Sequence, residues 1–134
     1  MAMISHVFVG VQDFDRACEF YASVLPLLNW IPRFRDEGEG WAGWQPADGE
    51  ERPLFLVGRP FNGEAATPGN GQMVALQAAS RAIVETVYAT ALANGGSCEG
   101  RPGLRPHYHA HYYGAYFRDT EGNKLCVCCH RPED

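Results

Sequence analysis

The chain has 134 residues, of which 46% are hydrophobic and 20% charged, the size and balance of one globular domain rather than of a disordered chain. Its formal net charge of −5, without any cluster of Lys or Arg, removes the usual electrostatic footing for nucleic acid or an anionic membrane and favours a small, uncharged or cationic ligand. No apolar run approaches the ~20 residues of a membrane span, and the opening residues lack the basic-then-apolar build of a secretion signal, so a cytoplasmic location is expected.

The run "ISHVFVGV" is short and rich in β-branched residues, which predicts a buried strand over Ile4 to Val11. Asp13 follows as an N-cap. Phe14, Ala17, Cys18, Tyr21, Val24, Leu25 and Leu28 then recur at helical intervals, with Pro26 limiting the helix. Arg33 and Arg35, flanked by Asp36 and Glu37, read as a solvated loop. "GWAGWQP" and "RPLFLVG" are two strands around a polar turn, and "RPFNGEAATPGNG" is a connecting loop.

The order then repeats. "QMVALQAA" predicts a strand and Ser80 an N-cap. Ile83, Val84, Val87, Tyr88, Ala91 and Leu92 form a second amphipathic stripe that stops at Asn94-Gly95-Gly96. Cys98 falls in a loop. "HYYGAYFRD" and "KLCVCC" are strands joined by the turn "TEGN". "YASVL" at Tyr21 and "YATAL" at Tyr88 occupy matching places after their caps, and the same register sets His6 against Met73. A single domain over 1–134 is therefore expected, built from a duplicated unit with modules of about 1–66 and 67–134.

"SHVFVGVQDFDRACEFYASVL" near the start and "YYGAYFRDTEGNKLCV" near the end resemble the vicinal oxygen chelate superfamily, which includes glyoxalase I, bleomycin-resistance proteins and extradiol dioxygenases. The resemblance implies an α+β fold of two βαβββ modules, their curved mixed sheet wrapped around a cup with the helices outside. It also implies a homodimer, a small-molecule ligand, and in many members a divalent metal chelated by adjacent substrate oxygens. His6 matches the histidine of the first strand. Met73 stands where a second histidine is common, Cys126 where a glutamate is usual, and Phe55, or Leu56 in a shifted register, at the equivalent place in the first module.

A hard divalent ion prefers carboxylate and imidazole ligands, and a phenylalanine offers none. The resemblance thus leaves two cofactor expectations: none, or a divalent or soft ion held by His6, Met73 and Cys126, a mixed nitrogen and sulfur set that copper favours and whose His and Cys zinc accepts. Five cysteines without paired CxxC spacing read as reduced thiols. Along an extended strand Cys126, Cys128 and His130 share one face and Val127 and Cys129 the other, so Cys128 and Cys129 read as small space-filling residues.

"LRPHYHAHYYGAY" gathers three histidines among tyrosines, side chains suited to acid/base work or to orienting a polar aromatic ligand. Strand alternation puts His109, His111 and Tyr113 on one side and Tyr108, Tyr112 and Tyr116 on the other. If the turn pairs Arg118 with Lys124, Tyr116 lies across from Cys126. Trp41 and Trp44 sit among glycines where they would stack on a planar ligand or fill the core.

Three functional readings follow. In the first, a glyoxalase- or dioxygenase-like small-molecule enzyme works with His6 and Cys126 at its centre and Trp41, Trp44, Phe55, His109, Tyr113 and Tyr116 around its substrate. The second is a metal-free binding protein of the bleomycin-resistance kind. The third makes Cys126 a thiolate nucleophile activated by His6.

Overall fold

The computed structural model describes residues 2–133. Each half runs strand, helix, three strands: β1 (His6–Gly10), α1 (Phe14–Val24), β2 (Trp30–Asp36), β3 (Trp41–Pro46) and β4 (Leu54–Gly58), then β5 (Val74–Gln77), α2 (Arg81–Ala93), β6 (Ser97–Leu104), β7 (Tyr113–Arg118) and β8 (Lys124–Cys129). The curved surface is divided between two four-stranded sheets ordered β1-β4-β3-β2 and β5-β8-β7-β6. In both, the first strand pairs in parallel with the fourth and the other pairings are antiparallel. The fold is the α+β arrangement of two βαβββ modules.

Both expected caps form. The Asp13 carboxylate accepts from the Arg16 N–H and the Ser80 hydroxyl from the Ile83 N–H, each at 3.2 Å, satisfying donors that a helix start leaves unpaired. A 3-10 turn over Leu25–Leu28 carries Pro26 and ends on Asn29, in the left-handed region at φ 63°. Helix and strand faces then meet in one core, where Tyr21, Val24, Phe55, Val57, Val84, Val87, Phe117, Leu125 and Val127 are all fully buried. Since only Phe55 and Val57 of β4, and Leu125, Val127 and Cys129 of β8, join it, the alternate residues Leu54, Leu56, Cys126 and Cys128 face the opposite, open side of their sheets.

Two expected loops are strands. Arg33 and Arg35 lie in β2, and Cys98 lies in β6. Both are edge strands with broken register, at Pro32/Phe34 in β2 and between Cys98 and Gly103 in β6. The "HYYGAYFRD" strand begins only at Tyr113, because residues 107–111 fold into turns.

The β7–β8 turn clamps the two modules. Buried Asp119 accepts from the Tyr21 hydroxyl at 2.5 Å and from the backbone N–H groups of Glu121 and Asn123. Asn123 donates to the Gly10 carbonyl at 3.0 Å, and the Glu121 carboxylate accepts from the backbone of Gln12 and Asp13. Gly122 makes this turn possible with φ 89°, a conformation that costs glycine little. The "RDTEGNK" sequence is thus explained by assembly.

Candidate functional site

Strand pairing fixes which positions correspond between the modules. Val7 pairs with Phe55 and Phe8 with Leu56, while Val74 pairs with Leu125 and Ala75 with Cys126. His6 therefore corresponds to Met73, and Leu56, rather than Phe55, corresponds to Cys126. The four positions on the open faces are His6, Leu56, Met73 and Cys126. His6 is exposed with Nδ1 2.8 Å from the Ser5 hydroxyl, Met73 is also exposed, and Leu56 and Cys126 are buried.

This donor set does not fit a hard divalent ion. One imidazole, a thioether, a hydrocarbon and a thiol supply none of the oxygen ligands such ions require, and among the described residues no group of three His, Cys, Asp or Glu side chains is arranged to hold an ion.

The open face of the first sheet is aromatic. Phe8 is 47% and Trp41 37% exposed. Trp41 meets Phe34 edge-on with ring centroids 4.7 Å apart, and Phe34 crosses Gly43 toward Leu56, where a Cβ on Gly43 would lie 2.5 Å from the Phe34 ring and 2.8 Å from Leu56. Glycine at 43 lets the phenylalanine lie flat on the strand.

The open face of the second sheet carries sulfur and hydroxyls. Tyr116 lies across from Cys126 and Arg118 from Lys124, the register expected from the turn. The Tyr112 and Tyr116 hydroxyls are 3.1 Å apart, and the Tyr112 hydroxyl is 3.4 Å from Cys126 Sγ. Arg105 and Lys124 stand 5.6 and 5.5 Å from the Tyr116 ring centroid, two cations over one aromatic ring. Cys128 Sγ is 3.6 Å from His130 Nε2, and His130 Nδ1 is 2.9 Å from His109 Nε2.

These contacts redistribute protons. The neighbouring Cys128 thiol, together with burial, pushes Cys126 well up. The neighbouring Cys126, with help from Tyr112 and His130 and against its own burial, draws Cys128 down to about 6. Burial first, then the bonds with Cys126 and Tyr116, raises Tyr112. The two thiols titrate as a pair that gives up one proton early and holds the other late.

The sequence-derived candidates separate. Trp41, Tyr116 and Cys126 lie on open faces. Trp44 and Phe55 lie in the core against Tyr21, at ring distances of 6.3 and 5.2 Å, and Phe55 also lines a cavity of about 320 Å³ between the modules. Tyr113 also faces the helices, its hydroxyl donating to Glu85 at 2.7 Å beneath the Arg81 guanidinium. His109 leaves the side expected from alternation, because its segment is a turn, and joins His130. Among the described residues His6 and Cys126 share no hydrogen bond; the thiol with an imidazole partner is Cys128. The residues missed are Phe8, Phe34, Tyr112, Cys128 and His130. The alternation of "CVCCH" already put Cys128 and His130 with Cys126.

Two adjoining cavities open between the modules. One of about 540 Å³ is lined by Leu28, Trp30, Pro46, Pro53 and Gln77, and one of about 320 Å³ by Ile4, Val7, Trp30, Leu54 and Met73. Both volumes lie in or near the range of small-molecule sites, ~300–1,000 Å³.

A duplicated βαβββ unit with corresponding strand positions on two open sheet faces defines an α+β protein of two repeated modules. The chain belongs to the glyoxalase/bleomycin resistance protein/dioxygenase superfamily, whose family model matches residues 3–127. It is similar to a glyoxalase/bleomycin resistance protein from Albidiferax ferrireducens T118, with 34% identity over 96% of this chain and 99% of that one and a TM-score of 0.83. Its fold is also like that of lactoylglutathione lyase from Agrobacterium tumefaciens, at 19% identity over 96% and 94% of the two chains and a TM-score of 0.66. TioX from Micromonospora sp. ML1 is comparable, at 18% identity over 97% and 100% and a TM-score of 0.66. No curated protein matches the chain. No helix among the described residues is long and apolar enough to cross a membrane.

Proposed function

We propose that the protein is a metal-independent small-molecule binding protein, acting as a homodimer, whose cup takes a planar aromatic compound with an oxygen-bearing edge. The observation that carries this reading is the aromatic open face of the first sheet, where Phe8 and Trp41 stay exposed and Trp41 meets Phe34 edge-on. Exposed rings on one sheet face give a flat ligand apolar area and stacking. The oxygen-bearing edge would meet the Tyr112 and Tyr116 hydroxyls, with Arg105 and Lys124 supplying positive potential nearby. Leu56 and Met73, standing where a metal-dependent relative needs ligands, support binding without an ion.

The enzyme reading retains one observation of its own, the Cys128–His130–His109 line, a nucleophile, base and orienting group in sequence.

The test is thermal unfolding with a panel of planar phenols and quinones, each with and without EDTA. A binding compound raises the transition temperature by linkage, and the rise is expected to be the same with chelator. Trp41→Ala is expected to weaken that compound about tenfold, the value of about 1.4 kcal/mol of lost stacking. A stabilisation that chelator abolishes and one divalent ion restores overturns the metal-independent reading.

A further inference from the structure

We propose that Cys128 is a nucleophilic cysteine that adds to the electrophilic carbon of an α,β-unsaturated carbonyl compound on the open face of the second sheet. The assignment stands on the cluster around it. Cys126 is the neighbouring thiol two residues along the same strand, His130 Nε2 lies 3.6 Å from the Cys128 sulfur, and His109 fixes the other nitrogen of that ring at 2.9 Å. His109 and His130 stack with centroids 5.2 Å apart, and Tyr112 meets both edge-on. Cys128 is 5% exposed whereas His109 and His130 are exposed, so the sulfur is sheltered while its proton has a path to solvent.

A thiol used only to fill space needs none of this. Cys129, the neighbour on the core face, is 1% exposed among apolar side chains and has none of these partners among the described residues. Nucleophilic thiols are marked by a partner that stabilises the thiolate, an imidazole above all.

The chemistry balances without any further reactant. The Cys128 proton passes to the histidine pair, and the sulfur lone pair forms a C–S bond to the β-carbon. The carbon–carbon π pair shifts to the carbonyl oxygen as an enolate, and the proton held by the histidines returns to the α-carbon. The Tyr112 and Tyr116 hydroxyls, 3.1 Å apart, are the donors available to the enolate oxygen, and Arg105 and Lys124 stabilise its charge. The electrophile class is set by this pairing of a soft nucleophile with oxyanion donors.

The experiment uses N-ethylmaleimide, itself an unsaturated dicarbonyl, at limiting concentration and pH 7, with peptide mapping by mass spectrometry. Exposed Cys98 is the internal reference. Cys128 is expected to be labelled at least ten times faster than Cys98. Cys126→Ala and the surface change His130→Asn are each expected to slow Cys128 several-fold and leave the Cys98 rate unchanged, while buried Cys18 stays unlabelled, which reports that the variants are folded. Labelling of Cys128 only after denaturation, a rate no greater than that of Cys98, or rates indifferent to both substitutions would overturn the proposal. Labelling requires no bound aromatic ligand, so this outcome is independent of the binding reading.

Discussion

The Tyr21 hydroxyl ends on a carboxylate that water barely reaches. Asp119 is 4% exposed and takes hydrogen bonds from Tyr21, from two backbone N–H groups and from Asn123. Burial and the adjacent Asp119 charge push the Tyr21 phenol well up, so it keeps its proton and remains a donor. Tyr21→Phe removes that donor without changing the ring, leaving a buried carboxylate short of one partner. Hydrogen bonds to charged groups are worth about 1.5–3 kcal/mol, so the variant is expected to lose about 2 kcal/mol in urea unfolding, with an unchanged slope. An unmoved midpoint would mean that the clamp between modules is held by the backbone contacts alone. At this scale the sequence was informative where a residue type is rare in its setting. His6 and Cys126 could be aligned by motif, but the environment that separates Cys128 from Cys129 depends on which face each takes and on what the 107–111 turn brings over it. Strand alternation supplies the first and no local pattern supplies the second.

Elements were legible in proportion to how one-sided their burial is. α1 and α2 bury a single stripe and carry side-chain caps, so both follow from spacing. β2 and β6 alternate poorly, with Pro32 in one and Pro102 with two glycines in the other. As edge strands with bulges, they read locally as loops. The join between α2 and β6 shows a constraint of a different kind. A Cβ at Gly96 would lie 2.7 Å from the Arg118 carbonyl oxygen and 2.8 Å from that of Ala91, both of them backbone atoms that cannot rotate away. Gly96→Ala should therefore push the end of α2 off β7 and cost about 1–3 kcal/mol, the usual range for overpacking. A variant of unchanged transition temperature would show that this join moves more freely than the close approach allows.

At the scale of the molecule, two sheets share one core yet keep their open faces largely to themselves. Phe8 and Trp41 on the first module remain exposed, as do Met73, Leu104 and Tyr108 on the second, the last three at 44%, 48% and 60%. Apolar groups spread over both modules are costly to leave wet, and a second copy is the one partner always present at equal concentration. A twofold dimer answers the cost twice, because each contact between unlike patches is repeated by symmetry. Sedimentation equilibrium at tens of micromolar is expected to give twice the chain mass. Leu104→Glu, which places a charge at the end of β6 without touching the core, is expected to shift the equilibrium toward monomer while the helical signal in circular dichroism is retained. If the wild-type chain sediments as a monomer across that range, the exposed aromatic face belongs to the ligand alone, and the cup must close on it within one chain.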